Sequence, residues 1–162
     1  SIGFVFQQFH LIPHLTALGN VSTALLYRDL TKPEIRQRSL AALEMVGLGE
    51  RYDHRPIEMS GGEQQRVAIA RALVTDPLMI LADEPTGALD TKTATIVMEI
   101  FKNLQSENRA IVLVTHDLEI AEQMDRVVSM RDGKIVADDL RSERTDALED
   151  RFWEAGKDGK LE

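Results

Sequence analysis

The stretch Leu78-Met79-Ile80-Leu81-Ala82-Asp83-Glu84-Pro85 runs from five consecutive apolar residues straight into two carboxylates and a proline. Apolar positions without a polar interruption are the pattern of a strand buried on both faces, as in a parallel sheet. Downstream, Ala94, Val97, Ile100, Phe101 and Leu104 fall at helical spacing and predict a core-facing helix. Ile111-Val112-Leu113-Val114 repeats the doubly buried strand pattern. Strand, helix and strand in about 35 residues form a βαβ unit, whose crossover should be right-handed. Upstream, Ile2 to Phe6 reads as another short strand. The chain is therefore expected to be α/β, with a mainly parallel sheet.

Between Gln8 and Ser60 the pattern is helical. A polar stretch with Pro13 and Gly19 reads as a loop, followed by a helix through Ala24-Leu25-Leu26. Thr31-Lys32-Pro33-Glu34 is a helix start: Thr31 can cap, Glu34 can reach back, and Pro33 suits the first turn. Ile35, Ser39, Leu43 and Val46 follow one face of that helix, and Gly47 ends it. Ser60-Gly61-Gly62-Glu63 opens another helix, which runs through Val67 to Val74 and stops at Asp76-Pro77. Asp117 caps a short helix through Met124. Asp132-Gly133 then joins Val127-Val128-Ser129-Met130 to Ile135-Val136 as a hairpin turn. The expected organisation is a body over 1–137, with a helical part over about 14–75, and a charged tail over 138–162.

A length of 162 residues suggests one domain, and 43% hydrophobic with 28% charged residues is ordinary for a soluble globular chain. The 19 basic and 27 acidic residues argue against a nucleic-acid surface, which needs clustered Lys and Arg. The absence of cysteine excludes disulfides, thiolate zinc sites and thiol nucleophiles. No apolar run approaches the roughly 20 residues that span a bilayer, and no signal peptide is present, so a cytoplasmic location is expected. The tail holds 9 acidic and 5 basic residues; Leu148 and Phe152 could make a short amphipathic helix there, or the segment stays solvated. The opening residues Ser1-Ile2-Gly3-Phe4-Val5-Phe6 lie inside a strand pattern without a starting Met. The expectation is that the 162 residues are part of a domain.

In open parallel sheets, ligands bind beyond the carboxyl ends of the strands. Three strand candidates end in reactive groups: Phe6 leads to Gln7, Ala82 to Asp83-Glu84, and Val114-Thr115 to His116. Adjacent carboxylates at a strand end repel and lose solvation unless partnered. Asp83 could hold Mg²⁺, while Glu84 could orient and deprotonate a water for attack on phosphorus. Pro85 biases Glu84 toward an extended conformation. Two solvated acids at a loop are the plainer alternative. Ser60 and Glu63 form a capping-box pair, yet each glycine between them costs the helix roughly 1 kcal/mol relative to alanine. Bare N–H groups at a helix start suit an approaching phosphate. His116 could hydrogen-bond a phosphate or the attacking water, or be an ordinary structural histidine. Asp90, in Gly87-Ala88-Leu89-Asp90, is most simply a helix N-cap.

The ordered set of Gln after a strand, Ser-Gly-Gly-Glu-Gln-Gln-Arg, an apolar run ending Asp-Glu-Pro-Thr, Ala-Leu-Asp and Thr-His-Asp resembles the ATP-binding subunit of ABC transporters. The likeness covers Gln7 to about Ile135. It implies a P-loop NTPase-type sheet, incomplete toward the N-terminus, with a helical insert and a C-terminal hairpin. It also implies that Gln7 is the Q-loop glutamine, which contributes to metal binding, and that Met59 to Glu63 is the signature motif. Ser60, Gly61, Gly62 and Glu63 would then meet a partner's ATP. Asp83 becomes the Walker B aspartate on Mg²⁺, Glu84 the catalytic base, Asp90 the D-loop residue and His116 the switch histidine. Met59 and Glu63 depart from the usual Leu and Gln. Phe4 to Pro13 and Pro85 to Asp90 look most like the macrolide-export and lipoprotein-release branch, with the cell-division branch close by.

The family's Gly-x-x-x-x-Gly-Lys-[Ser/Thr] loop is missing from these residues. Gly133-Lys134 and Gly156-Lys157 are followed by Ile135 and Asp158. The resemblance implies a head-to-tail dimer of ATP-binding subunits, held through permease subunits at the inner face of the cytoplasmic membrane. The chain alone is expected to be inactive. A non-transport ATPase of the same superfamily and a non-enzymatic remnant stand as alternatives.

Overall fold

The computed structural model describes residues 1–106 and 109–143 and falls into two compact units, Ser1–Val114 and Thr115–Glu162. In the first, β1 (Ile2–Val5) leads into α1 (Ala17–Ser22), α2 (Lys32–Met45) and α3 (Gly61–Leu73). Then follow β2 (Met79–Asp83), α4 (Thr91–Ser106) and β3 (Ala110–Val114). The three strands pair in the order β1-β2-β3 and all run parallel, with Gly3 opposite Ile80 and Ala82 opposite Leu113. Helices α1, α2 and α3 pack on one another, α3 lies on β1, and α4 packs on β3 and α3. The core between them holds Val5, Val67, Ile69, Ile80, Ala82, Val97 and Phe101.

Within these 162 residues the strands are buried on one face only, where the apolar runs predict both. Along β2, Ile80 and Ala82 are fully buried, while Met79 is 37% exposed and Leu81 is intermediate. The registers Ile2–Met79, Phe4–Leu81 and Leu81–Val112 put these residues on one face. On that face Ile2, Phe4, Val112 and Val114 are also exposed. Helices cover only the opposite face among the described residues.

The helical part also departs from expectation at its start. Gly19 sits inside α1, not in a loop before it, and Ala24-Leu25 belong to a 3₁₀ turn at Thr23–Leu25. Thr16 caps α1 by accepting the Gly19 N–H at 3.1 Å. Buried Asn20 receives the Ile12 N–H and donates to the Ile12, Leu15 and Thr16 carbonyls. These bonds satisfy the backbone groups of the turn entering α1. At α2 the reading holds: the Thr31 N–H donates to Glu34, and Gly47 takes φ +71° just past the end. Gly47 and Leu48 N–H groups return to Glu44 and Leu43 carbonyls, which closes the helix.

In the second unit, Asp117 caps α5 (Leu118–Glu122) by accepting the Glu119 and Ile120 N–H groups. Strands β4 (Arg126–Arg131) and β5 (Lys134–Leu140) form an antiparallel hairpin. Asp132 and Gly133 both take positive φ, as a two-residue turn matching the strand twist requires. Strand β5 continues three residues past the charge boundary at Asp138, because Asp138 forms a bidentate pair with Arg126 across the ladder. The proposed helix around Leu148 and Phe152 lies outside the described residues. No described helix is long and apolar enough to cross a membrane.

Candidate active site

Parallel pairing brings the carboxyl ends of β1 and β2 together, and with them Gln7, Asp83 and Glu84. Asp83 ends β2 with its side chain exposed; Glu84 is half-buried in the turn that follows. Pro85 does not hold Glu84 extended: its φ is +44°, in the left-handed region. The Glu84 N–H donates to the Val114 carbonyl at 2.8 Å, and the Glu84 carbonyl accepts from Gly87 at 3.1 Å. This tight turn outweighs the pre-proline preference, which is only a bias. A Cβ at Gly87 would lie 2.8 Å from the Gln7 Nε2 and 3.6 Å from the Glu84 Cβ. Gln7 and Glu84 thus flank Gly87 in one corner, where a Cβ would make the Gln7 amide shift.

The loop carrying Gln7 is anchored from α3. Arg71 donates to the His10 carbonyl at 2.7 Å and to the Phe9 carbonyl at 2.9 Å, and partial burial lowers its pKa. His10 itself has φ +47° and meets the Phe6 ring edge-on. At the other end of α3, the Ser60 backbone N–H donates to the Glu63 carboxylate at 2.9 Å, as does the Ser60 hydroxyl. The Glu63 N–H donates back to the Ser60 Oγ at 3.3 Å. The backbone bond from Ser60 leads in holding the Glu63 carboxyl below the usual carboxylate range; the hydroxyl, Arg51 and Arg66 add to it.

Gly61 and Gly62 prove to have separate surroundings. A Cβ on Gly61 would make ordinary contacts, 3.7 Å from Leu89 and Phe9. A Cβ on Gly62 would overlap the Thr93 methyl. Thr93 is held by Asp90, whose carboxylate accepts the Thr93 hydroxyl at 2.7 Å and its N–H at 3.0 Å. The same bonds hold the Asp90 pKa below its ordinary value. Asp90 is thus the N-cap of α4, and through Thr93 it sets how closely α3 and α4 approach. His116 falls in the second unit, two positions after β3. Sequence reasoning passed over Gln65, Arg71, Gly87 and Thr93. Gln65 was detectable as a polar residue four before Ile69 on the buried face of a helix.

A parallel sheet whose carboxyl edge presents an amide and two carboxylates, beside a helix with a glycine-rich start, is the architecture of P-loop-type nucleotide hydrolases. Residues 1–87 match the family model described as ABC transporter. An ABC transporter ATP-binding protein of Bacillus subtilis, YvrO, is 53% identical over 139 residues, 86% of this chain and 61% of that protein. The macrolide export ATP-binding/permease protein MacB of Chlorobium phaeobacteroides is 53% identical over 141 residues, covering 87% of this chain and 21% of that protein. The dimeric post-hydrolysis structure of the ATP-binding cassette MJ0796, bound to ADP and Pi, superposes with a TM-score of 0.76 at 45% identity. That match covers 87% of this chain and 63% of that one. The chain belongs to the ABC transporter family, as part of its ATP-binding domain.

Proposed function

We propose that this chain supplies the water-activating and signature portions of an ABC-type ATPase that drives export, in the macrolide-export and lipoprotein-release branch. The observation that carries this reading is the shared corner of Gln7, Gly87 and Glu84 at the carboxyl edge of the parallel sheet. The identity with MacB supports the branch. Two such subunits act head to tail on permease subunits, with Ser60 to Glu63 closing over the partner's ATP.

In the proposed reaction Glu84 takes a proton from water as its oxygen attacks the γ-phosphorus of ATP. The bond to the β-phosphate oxygen breaks, releasing ADP and phosphate. His116 contacts the γ-phosphate or the attacking water, and Gln7 reports nucleotide occupancy through its loop. The Asp83 carboxylate and the Gln7 amide oxygen are hard donors of the kind Mg²⁺ prefers. Among the described residues no group of three His, Cys, Asp or Glu could hold a metal ion. One or two protein oxygens suit an ion that arrives with nucleotide phosphates. Mg²⁺ would supply neutralisation of the phosphate charge when bound there.

The test is Glu84→Gln in the full-length protein. ATP binding should persist while hydrolysis falls by at least a hundredfold, the usual scale for losing a general base. Normal turnover in that mutant would place the base elsewhere.

A further inference from the structure

We propose that Gln65 is a positioning residue for Glu84, fastening the turn that carries the carboxylate to α3. Gln65 is fully buried, and its Nε2 donates to the Pro85 carbonyl at 2.6 Å across 20 positions of sequence. Its Oε1 is also buried and has no hydrogen-bond partner among the described residues. An amide that leaves one buried oxygen unpaired is a poor choice for packing, since an unsatisfied buried acceptor is destabilising. A methionine would fill nearly the same volume without that penalty. What the amide adds is the bond to Pro85.

That bond falls where the backbone most needs support. Glu84 holds φ +44°, which is unfavourable for a residue with a Cβ and persists only when its surroundings impose it. The Val114 carbonyl secures the turn at the Glu84 N–H, and the Gly87 N–H closes it at the Glu84 carbonyl. Gln65, on α3, secures the residue between these two bonds. It also lies four residues after Gly61, one helical turn from the glycine pair. A shift of the α3 start is thereby passed directly to Glu84. The inference rests on the reading of Glu84 as the base.

Gln65→Met and Gln65→Leu in the full-length protein test it. Expected are a kcat for ATP hydrolysis at least tenfold lower, a KM for ATP within twofold of wild type, and a Tm that is unchanged or raised. Amide exchange at Gly87 and Leu89 should accelerate, and Gln65→Met added to Glu84→Gln should slow hydrolysis no further. Turnover within twofold of wild type in either variant, with Glu84→Gln inactive, would overturn the positioning role alone. If Glu84→Gln also turns over normally, the Glu84 reading falls and the positioning role with it. Loss of Tm and turnover together, with Gly87 exchange unchanged, or loss of folding in both variants, would assign Gln65 to packing and overturn the proposal.

Discussion

A Cβ on Gly62 would overlap the methyl of Thr93, and Thr93 cannot rotate away without giving up its hydroxyl bond to Asp90. Gly61 has no such neighbour; the nearest side-chain atoms stand 3.7 Å from its would-be Cβ. Two glycines that look alike in the sequence therefore do different work. Gly62 serves the contact of α3 with α4, while Gly61 is exposed and has room for a Cβ. Gly62→Ala should cost about 1–3 kcal/mol by overpacking, read as a lower midpoint in urea. Thr93→Ser, which removes the offending methyl and keeps the hydroxyl, should recover most of that loss. Gly61→Ala should leave the midpoint nearly unchanged. An equal loss at both glycines would refute this division of roles.

The start of α3 is the element whose stability should follow pH. Hydrogen bonds from Ser60 and the nearby Arg51 and Arg66 hold the Glu63 carboxyl below its ordinary value. A lowered folded-state pKa contributes stability above the unfolded value and loses it as pH falls through the folded value. Glu63→Gln should thus be less stable than wild type by about 1 kcal/mol at pH 7, the scale of a lost cap. The gap should close in melts taken below about pH 4, under the ordinary glutamate value. A gap that persisted in acid would show that charge has no part in the cap. The capping box itself was legible from Ser60 and Glu63 because it depends on residues three apart. The α1 start was not, since Asn20 acts through the backbone of Ile12 and Leu15 and leaves no periodic trace.

For the molecule as a whole, the bare sheet face stands out. Ile2, Phe4, Met79, Val112 and Val114 are each at least 37% exposed on adjoining strands. The 162-residue chain on its own should bind an apolar dye strongly, because exposed contiguous apolar surface does so. Phe4→Lys with Val112→Lys should weaken the fluorescence several-fold, and unchanged fluorescence would place the dye elsewhere. Within the 162 residues no glycine-rich loop of the Gly-x-x-x-x-Gly-Lys-[Ser/Thr] type cradles phosphates. Titrating this chain with Mg-ATP should give a dissociation constant in the millimolar range; micromolar affinity would contradict that expectation. The chain spans 61% of its Bacillus relative YvrO, so the activity proposed here is that of the full-length protein.

By itself the sequence determined the α/β class, the caps of α2 to α5 and the Asp132-Gly133 hairpin, because spacing and turn chemistry are local. Gln7 and Asp83-Glu84 could be named as candidates because each follows an apolar run. Tertiary structure alone decided which strand face is buried, since five apolar residues in a row carry no period to choose between faces. It alone turned Glu84 to a positive φ against the preference set by Pro85. It also tied the two ends of α3 to different loops, through Gln65 at Pro85 and Arg71 at Phe9 and His10. Those contacts join residues 20 and more than 60 positions apart, and only the folded backbone brings donor and acceptor within reach.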